Sequence, residues 1–298
     1  ATVLRADLVV HEIPAPAGVA PAAIALAADI RPEHEGEDSA YGNGRFILLY
    51  DPSTPDAWGG PFRIVCFAQA PRETEIGTDP LAIQDFVQAA EGLGYDYLLA
   101  YEHVLGADPA DYPDGRRFAY TFRDQFHEPL VLFGYLAALT EHLEFTTGIL
   151  ILPQRNTALV AKQAAEVDIL SGGRLRLGVG VGWNEAEMRG VGYDFATRGK
   201  RMDEQIALLR ALWTEPLVTF EGAYHTVRRL GINPLPVQRP IPLWFGGAAD
   251  PVLRRMARFG AGWMPSGLSP EQGAPLVARL REYLAAERHD PAQFGLDV

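Results

Sequence analysis

From Arg63 onward, short apolar runs alternate with longer stretches of helical period. The apolar runs Arg63–Ala68, Tyr97–Tyr101, Leu143–Leu152, Leu175–Val181, Pro242–Phe245, Gly262–Met264 and Phe294–Val298 read as strands. Between them the spacing predicts helices over Pro80–Leu93, Pro129–Thr140, Ala158–Leu170, Lys200–Leu212, Asp250–Phe259 and Glu271–Arg288. In the first helix, Leu81, Phe86, Ala89, Ala90 and Leu93 fall on one face. Ser171-Gly172-Gly173 is a helix stop. Strands this apolar, separated by helices, predict parallel pairing with both faces covered. The count from Arg63 is seven strands. An eight-stranded barrel would be one β/α unit short at the C-terminus. An open doubly wound sheet also accepts seven, so the pattern leaves both open.

The preceding residues have a different texture. Ala and Pro are dense in Ile13–Pro21, and an acidic stretch runs over Pro32–Ser39. Strand candidates are Val3–Ile13 and Arg45–Tyr50, with a short helix over Ala22–Ala28 and a turn cluster at Asp51–Asp56. Two domains are therefore expected: a small α+β segment over 1–62 and a β/α domain over 63–298.

Composition narrows the partners. The net charge of −12 supplies no basic surplus for nucleic acid or an anionic membrane. No apolar run approaches the roughly 18 residues of a membrane helix. The first residues lack the basic-then-apolar pattern of a signal peptide. Cys66 is the single cysteine and stands in an apolar run, where it reads as a packing thiol. A cytoplasmic protein acting on a small molecule is the expectation. Lysines number only two, Lys162 and Lys200, so an isolated arginine says little about a site.

In parallel α/β folds ligands sit at the C-terminal ends of the strands. Four consecutive strand ends carry unusual residues: Glu102-His103, Thr146-Thr147-Gly148, Gly178 to Glu185, and Gly246 to Asp250. Gly246-Gly247-Ala248-Ala249 precedes a helix. It suits a phosphate at a helix N-terminus, and equally a tight strand-to-helix turn. Gly178, Gly180 and Gly182 lack the spacing of a dinucleotide fingerprint. They suit a flat ligand close to the backbone, and Gly178 equally suits packing inside a barrel. His103 is open to a structural or a catalytic role. His127 precedes a helix and could help cap it. No Cys/His cluster has metal spacing, so no metal is expected.

At these residues the chain resembles the bacterial luciferase-like oxidoreductases, in particular their deazaflavin (coenzyme F-420)-dependent branch. The resemblance runs from about Thr78 to Val298. It is carried by Thr78–Ile83 with Ala89–Asp96, Tyr101–Asp108, Thr147–Asn156 running into Lys162–Asp168, Leu170–Arg174, Gly178–Asn184 and Pro242–Gly247. It implies a TIM-type (β/α)8 barrel, here lacking its last β/α unit, with a flavin-like ring at the strand C-termini. It also implies a non-proline cis peptide at Gly148–Ile149 behind the ring. Glu102 and His103 match the family's acid and histidine beside the reactive ring edge. Thr147, Gly148, Ile149, Asn156 and Gly180 would hold the cofactor, and Gly246, Gly247, Ala248 and Ala249 would bind its phosphate. Residues 1 to about 70 resemble instead a small domain family of unknown function, through Glu12–Pro16, Leu49–Pro52 and Ala57–Arg63.

The implied function is hydride transfer between coenzyme F-420 and a small organic substrate, with His103 exchanging a proton and Glu102 orienting it or touching the ring. One alternative is an FMN-dependent two-component monooxygenase of the same family. Another is a non-catalytic or truncated fusion serving as a binding module. The resemblance also suggests a homodimer.

Overall fold

The computed structural model describes residues 77–298 apart from 109, 111–119, 267 and 298, and before them the backbone of four strands. The chain divides into two compact units, Ala1–Phe62 and Arg63–Val298.

In the first unit, β1 (Leu8–Ile13), β2 (Ile24–Ile30) and β3 (Arg45–Tyr50) form an antiparallel sheet in that order. Leu8 pairs with Ile30, and Ile24 pairs with Tyr50. The helix expected over Ala22–Ala28 is therefore a strand. Alanine's helical advantage is a fraction of a kcal/mol per residue, roughly 0.5. Pairing to a neighbour on each side outweighs it. The large apolar residues Ile24, Leu26 and Ile30 fall at the even spacing of a strand face, with alanines and Asp29 between them.

The second unit begins with β4 (Val65–Phe67), which contains Cys66; the packing expected of its thiol concerns a side chain outside the described residues. There follow α1 (Pro80–Gly92), β5 (Tyr97–Ala100), α2 (Pro129–Ala137), β6 (Glu144–Thr147), β7 (Leu150–Ile151) and α3 (Thr157–Leu170). The chain continues through β8 (Leu175–Gly180), α4 (Glu185–Gly190), α5 (Arg198–Thr214) and the hairpin β9 (Val218–Glu221) and β10 (Thr226–Leu230). It ends with β11 (Leu243–Gly246), α6 (Asp250–Phe259), β12 (Gly262–Met264), α7 (Pro270–Ala286) and β13 (Gly295–Leu296). The strands line up as β4-β5-β6-β8-β11-β12-β13, every neighbour parallel. This is a curled parallel sheet covered by helices. No helix among the described residues is long and apolar enough to cross a membrane.

The single strand expected over Leu143–Leu152 is two. Thr146 pairs with Arg176 and Leu150 with Val179, so β6–β7 uses four steps where β8 uses three. The extra residue falls at Gly148–Ile149, whose peptide is cis, as the resemblance implied. The α1 face also differs from expectation. Ile83, Val87 and Ala90 are buried, whereas Leu81 and Leu93 are exposed. Positions i, i+4 and i+7 bring the two branched side chains and a small one onto the sheet. The outward strand residues Leu98, Phe145, Leu177, Val179 and Phe245 form one core with residues of α2, α3, α5 and α6.

The other sheet face is filled at its N-terminal end. The Trp244 indole lies where a β-carbon on Gly262 or Gly295 would stand, so those two strands carry glycine there. The Arg176 guanidinium lies 4.0 Å from the Tyr97 ring centroid and 4.6 Å from that of Trp244. Glu144 at 3.2 Å and Asp297 at 3.4 Å answer its charge.

Candidate active site at the strand C-termini

β5 delivers Glu102 and His103 to the opposite rim. Glu102 is buried, and its carboxylate accepts the Ile151 amide at 2.5 Å and the Arg155 guanidinium. Arg155 also meets Glu128 at 2.7 Å. Burial pushes the Glu102 carboxyl above its usual range, opposed by Arg155 and the Ile151 N–H. Glu102 thus ties the end of β5 to the segment after the cis peptide.

His103 turns the other way. Its Nδ1 lies 3.0 Å from Glu187 Oε2, and its ring stacks on Tyr120 with centroids 3.5 Å apart and planes 25° apart. Phe126 meets the same ring edge-on at 4.9 Å, and Trp183, itself 52% exposed, at 6.3 Å. Glu187 is buried and also accepts from Val104 N at 2.6 Å, Leu105 N at 3.2 Å and the Tyr120 hydroxyl at 2.7 Å. Burial alone would raise the Glu187 carboxyl; His103, Tyr120 and Val104 outweigh it and hold it below its ordinary range. Asn184 caps α4 by accepting the Glu187 N–H at 3.2 Å and donates to the Tyr120 hydroxyl at 2.7 Å.

Glu187, Tyr120 and the capping of Asn184 were missed in the sequence. An Asn followed three residues later by Glu is a helix-start signature, and it could have located α4. Nothing local indicates that this Glu reaches back to His103.

The ends of β6, β8 and β11 present small residues. The Ile149 side chain occupies the space a β-carbon would take on Gly180 or Gly246, and so bridges β8 and β11. Gly148 lies against Leu99. Thr147, Gly148, Ile149, Gly180 and Gly246 therefore come together. The Thr147 hydroxyl donates to the Gly178 carbonyl at 2.6 Å, a link within the sheet. Asn156 is exposed and caps α3 by accepting from Leu159 N at 3.0 Å. Gly247, Ala248 and Ala249 lead into α6, whose N-terminus has no side-chain cap. Asp250 in its first turn is engaged by Arg254 at 2.9 Å and by Tyr283 Oη at 2.7 Å. His127 does not cap α2; Glu128 does, and His127 Nε2 lies 3.0 Å from the Gly77 carbonyl. Among the described residues no three His, Cys, Asp or Glu side chains are placed to hold a metal.

These features fit a planar ring with an anionic tail. Ile149 and the glycine backbones beside it would make an apolar support for such a ring. At the start of α6, Pro251 has no N–H and the Val252 and Leu253 amides donate to the Ala249 carbonyl at 2.8 and 3.1 Å, so a phosphate there would rely on the backbone from Gly247 to Asp250 and on the positive end of the helix.

The sequence profile of the luciferase-like monooxygenases matches residues 61–297, and that of a protein family of unknown function, DUF3000, matches residues 1–85. An uncharacterized protein of Mycobacterium bovis is 40% identical over 219 residues, covering 71% of this chain and 74% of that protein. An FMNH2-dependent dimethylsulfone monooxygenase of Pseudomonas putida is 31% identical over 206 residues. That match covers 68% of this chain and 53% of the enzyme, about half its length. The solved structure of an F-420-dependent secondary alcohol dehydrogenase with an F-420–acetone adduct superposes with a TM-score of 0.66 at 20% identity. It covers 78% of this chain and 67% of that one, and shares the fold.

Proposed function

The chain belongs to the luciferase-like monooxygenase family, and we propose that within it this protein moves a hydride between a deazaflavin, coenzyme F-420, and a small organic substrate. The observation that carries this reading is a carboxylate-bound imidazole after β5, at the same strand C-termini where Ile149 covers Gly180 and Gly246. A hydride transfer at a carbinol or carbonyl carbon needs a partner for the oxygen's proton, and His103 is placed to be that partner. When bound, the deazaflavin supplies the hydride acceptor or donor.

Ile149, Gly148 and Gly180 would support the ring, with Thr147 buttressing them from within the sheet. Gly246 to Ala249 would hold the phosphate at the start of α6, with Asn156 at the start of α3 as a further contact. His103 Nε2 takes the proton from a substrate hydroxyl as its carbon gives up hydride, or returns it in the reverse direction. Glu102, bound to Arg155 and Ile151 N, keeps the support and the histidine in register. Tyr120, Phe126 and Trp183 give the substrate an aromatic wall.

The FMN-dependent monooxygenase is the second reading, favoured by the 31% identity to the P. putida enzyme. The intact polar network at the rim supports either enzyme over the binding-module alternative. Titration of the purified chain with coenzyme F-420 and with FMN, followed by fluorescence and calorimetry, separates them. Micromolar binding of coenzyme F-420 alone supports the proposal. Binding of FMN alone transfers it to the second reading, and binding of neither overturns both.

A further inference from the structure

Glu187 offers two oxygens to four donors. Oε1 accepts the Val104 and Leu105 amides, and Oε2 accepts the Tyr120 hydroxyl and His103 Nδ1. The Tyr120 hydroxyl has one proton. Its acceptor side is occupied by the Asn184 amide nitrogen at 2.7 Å, so the proton points to Glu187. Asn184 cannot flip without losing its own cap, because its Oδ1 accepts the Glu187 N–H. Every donor direction in the loop Asn184–Tyr120–Glu187 is thereby set. A carboxylate with four donors has no proton to give, so the hydrogen between Glu187 and His103 belongs to Nδ1. Stacking on Tyr120 and the edge contact with Phe126 hold the ring in that orientation.

We infer that Glu187, 84 residues from His103 in the chain, is the positioning residue of the site: it locks His103 in the Nδ1–H tautomer and leaves the Nε2 lone pair as the proton-exchanging atom. The consequence for catalysis rests on the function proposed above, whereas the tautomer does not.

Long-range proton–nitrogen NMR correlation of the histidine rings in the full chain reads the tautomer directly. His103→Gln identifies the resonance. In the wild type at neutral pH it reports a single Nδ1–H species. In Glu187→Gln it moves to an Nε2–H species or a mixture, because the glutamine amide can donate as well as accept. Glu187→Asp and Tyr120→Phe, which retain the carboxylate, keep the wild-type pattern. An Nε2–H ring in the wild type overturns the inference, even if Glu187→Gln does not fold. So does an unchanged tautomer in a folded Glu187→Gln. Binding of neither cofactor defeats the proposed function and leaves this result standing. Cofactor binding with an Nε2–H ring defeats this inference alone.

Discussion

At the N-terminal ends of the strands, Trp244 spreads over Gly262 and Gly295, and Arg176 is clasped between Tyr97 and Trp244 with Glu144 and Asp297 beside it. At the C-terminal ends, β8 and β11 finish in Gly180 and Gly246, and the half-buried Ile149 side chain lies across both. Both ends use glycine to make room. At one end a large side chain of the same sheet takes the room, and the result is packing. At the other a side chain from the bulge after β6 takes it, and charged groups of the neighbouring loops pair off (Glu102 with Arg155, His103 with Glu187). A packed end and the proposed site are separated along a strand only a few residues long.

The largest effect expected from disturbing this division is at the packed end. Trp244→Ala should cost about 3–5 kcal/mol in urea unfolding, because it empties the space above two glycines that cannot refill it. Coenzyme affinity of the protein that remains folded should stay within about threefold, by calorimetry, if the two ends are independent. At the open end, His103→Gln should reverse the pattern. Turnover of a carbinol substrate should fall roughly 100-fold, while the melting temperature and cofactor affinity hold. Undiminished turnover would remove His103 from the chemistry.

A smaller effect is read by pH. Glu187 is held below its ordinary value of 4.5, so the folded protein binds this proton less readily than the unfolded chain. Its stabilising contribution is complete above that value and is lost as pH falls through the lower, folded one. Urea midpoints measured between neutral and strongly acidic pH should fall less steeply in Glu187→Gln than in the wild type. The smallest effect is at the edge of the rim. Asn156→Ala should cost about 1 kcal/mol by removing the α3 cap. If Asn156 also touches cofactor, the dissociation constant will rise with it; if it only caps, the constant will not move.

Much of this was legible before any coordinates. The alternation of apolar runs and helical stretches placed α6 and β12 to the residue, and the polar strand ends singled out in the sequence include Glu102 and His103, which the fold ties to Arg155 and Glu187. The family resemblance carried by Thr147–Asn156 implied the cis peptide at Gly148–Ile149. The failures are as instructive. The β9–β10 hairpin is short and largely exposed, so it carries no burial period to detect. α4 has six residues, too few for a helical repeat. The alanine-rich run over 22–28 followed its pairing partners rather than its propensity. The exposed Leu81 and Leu93 show that an apolar residue at helical spacing need not mark the buried face.

The sequence by itself determined the succession of strands and helices and the end of the sheet at which polar chemistry collects. Both are consequences of local periodicity and of chain direction in a parallel sheet. Only the tertiary structure decided that Glu102 takes Arg155 and Ile151 N, that His103 takes Glu187, and that Ile149 reaches across Gly180 and Gly246. Those meetings depend on strand order and on loop paths summed over dozens of residues, and hydrogen bonds form at distances that no pattern of neighbouring residues specifies.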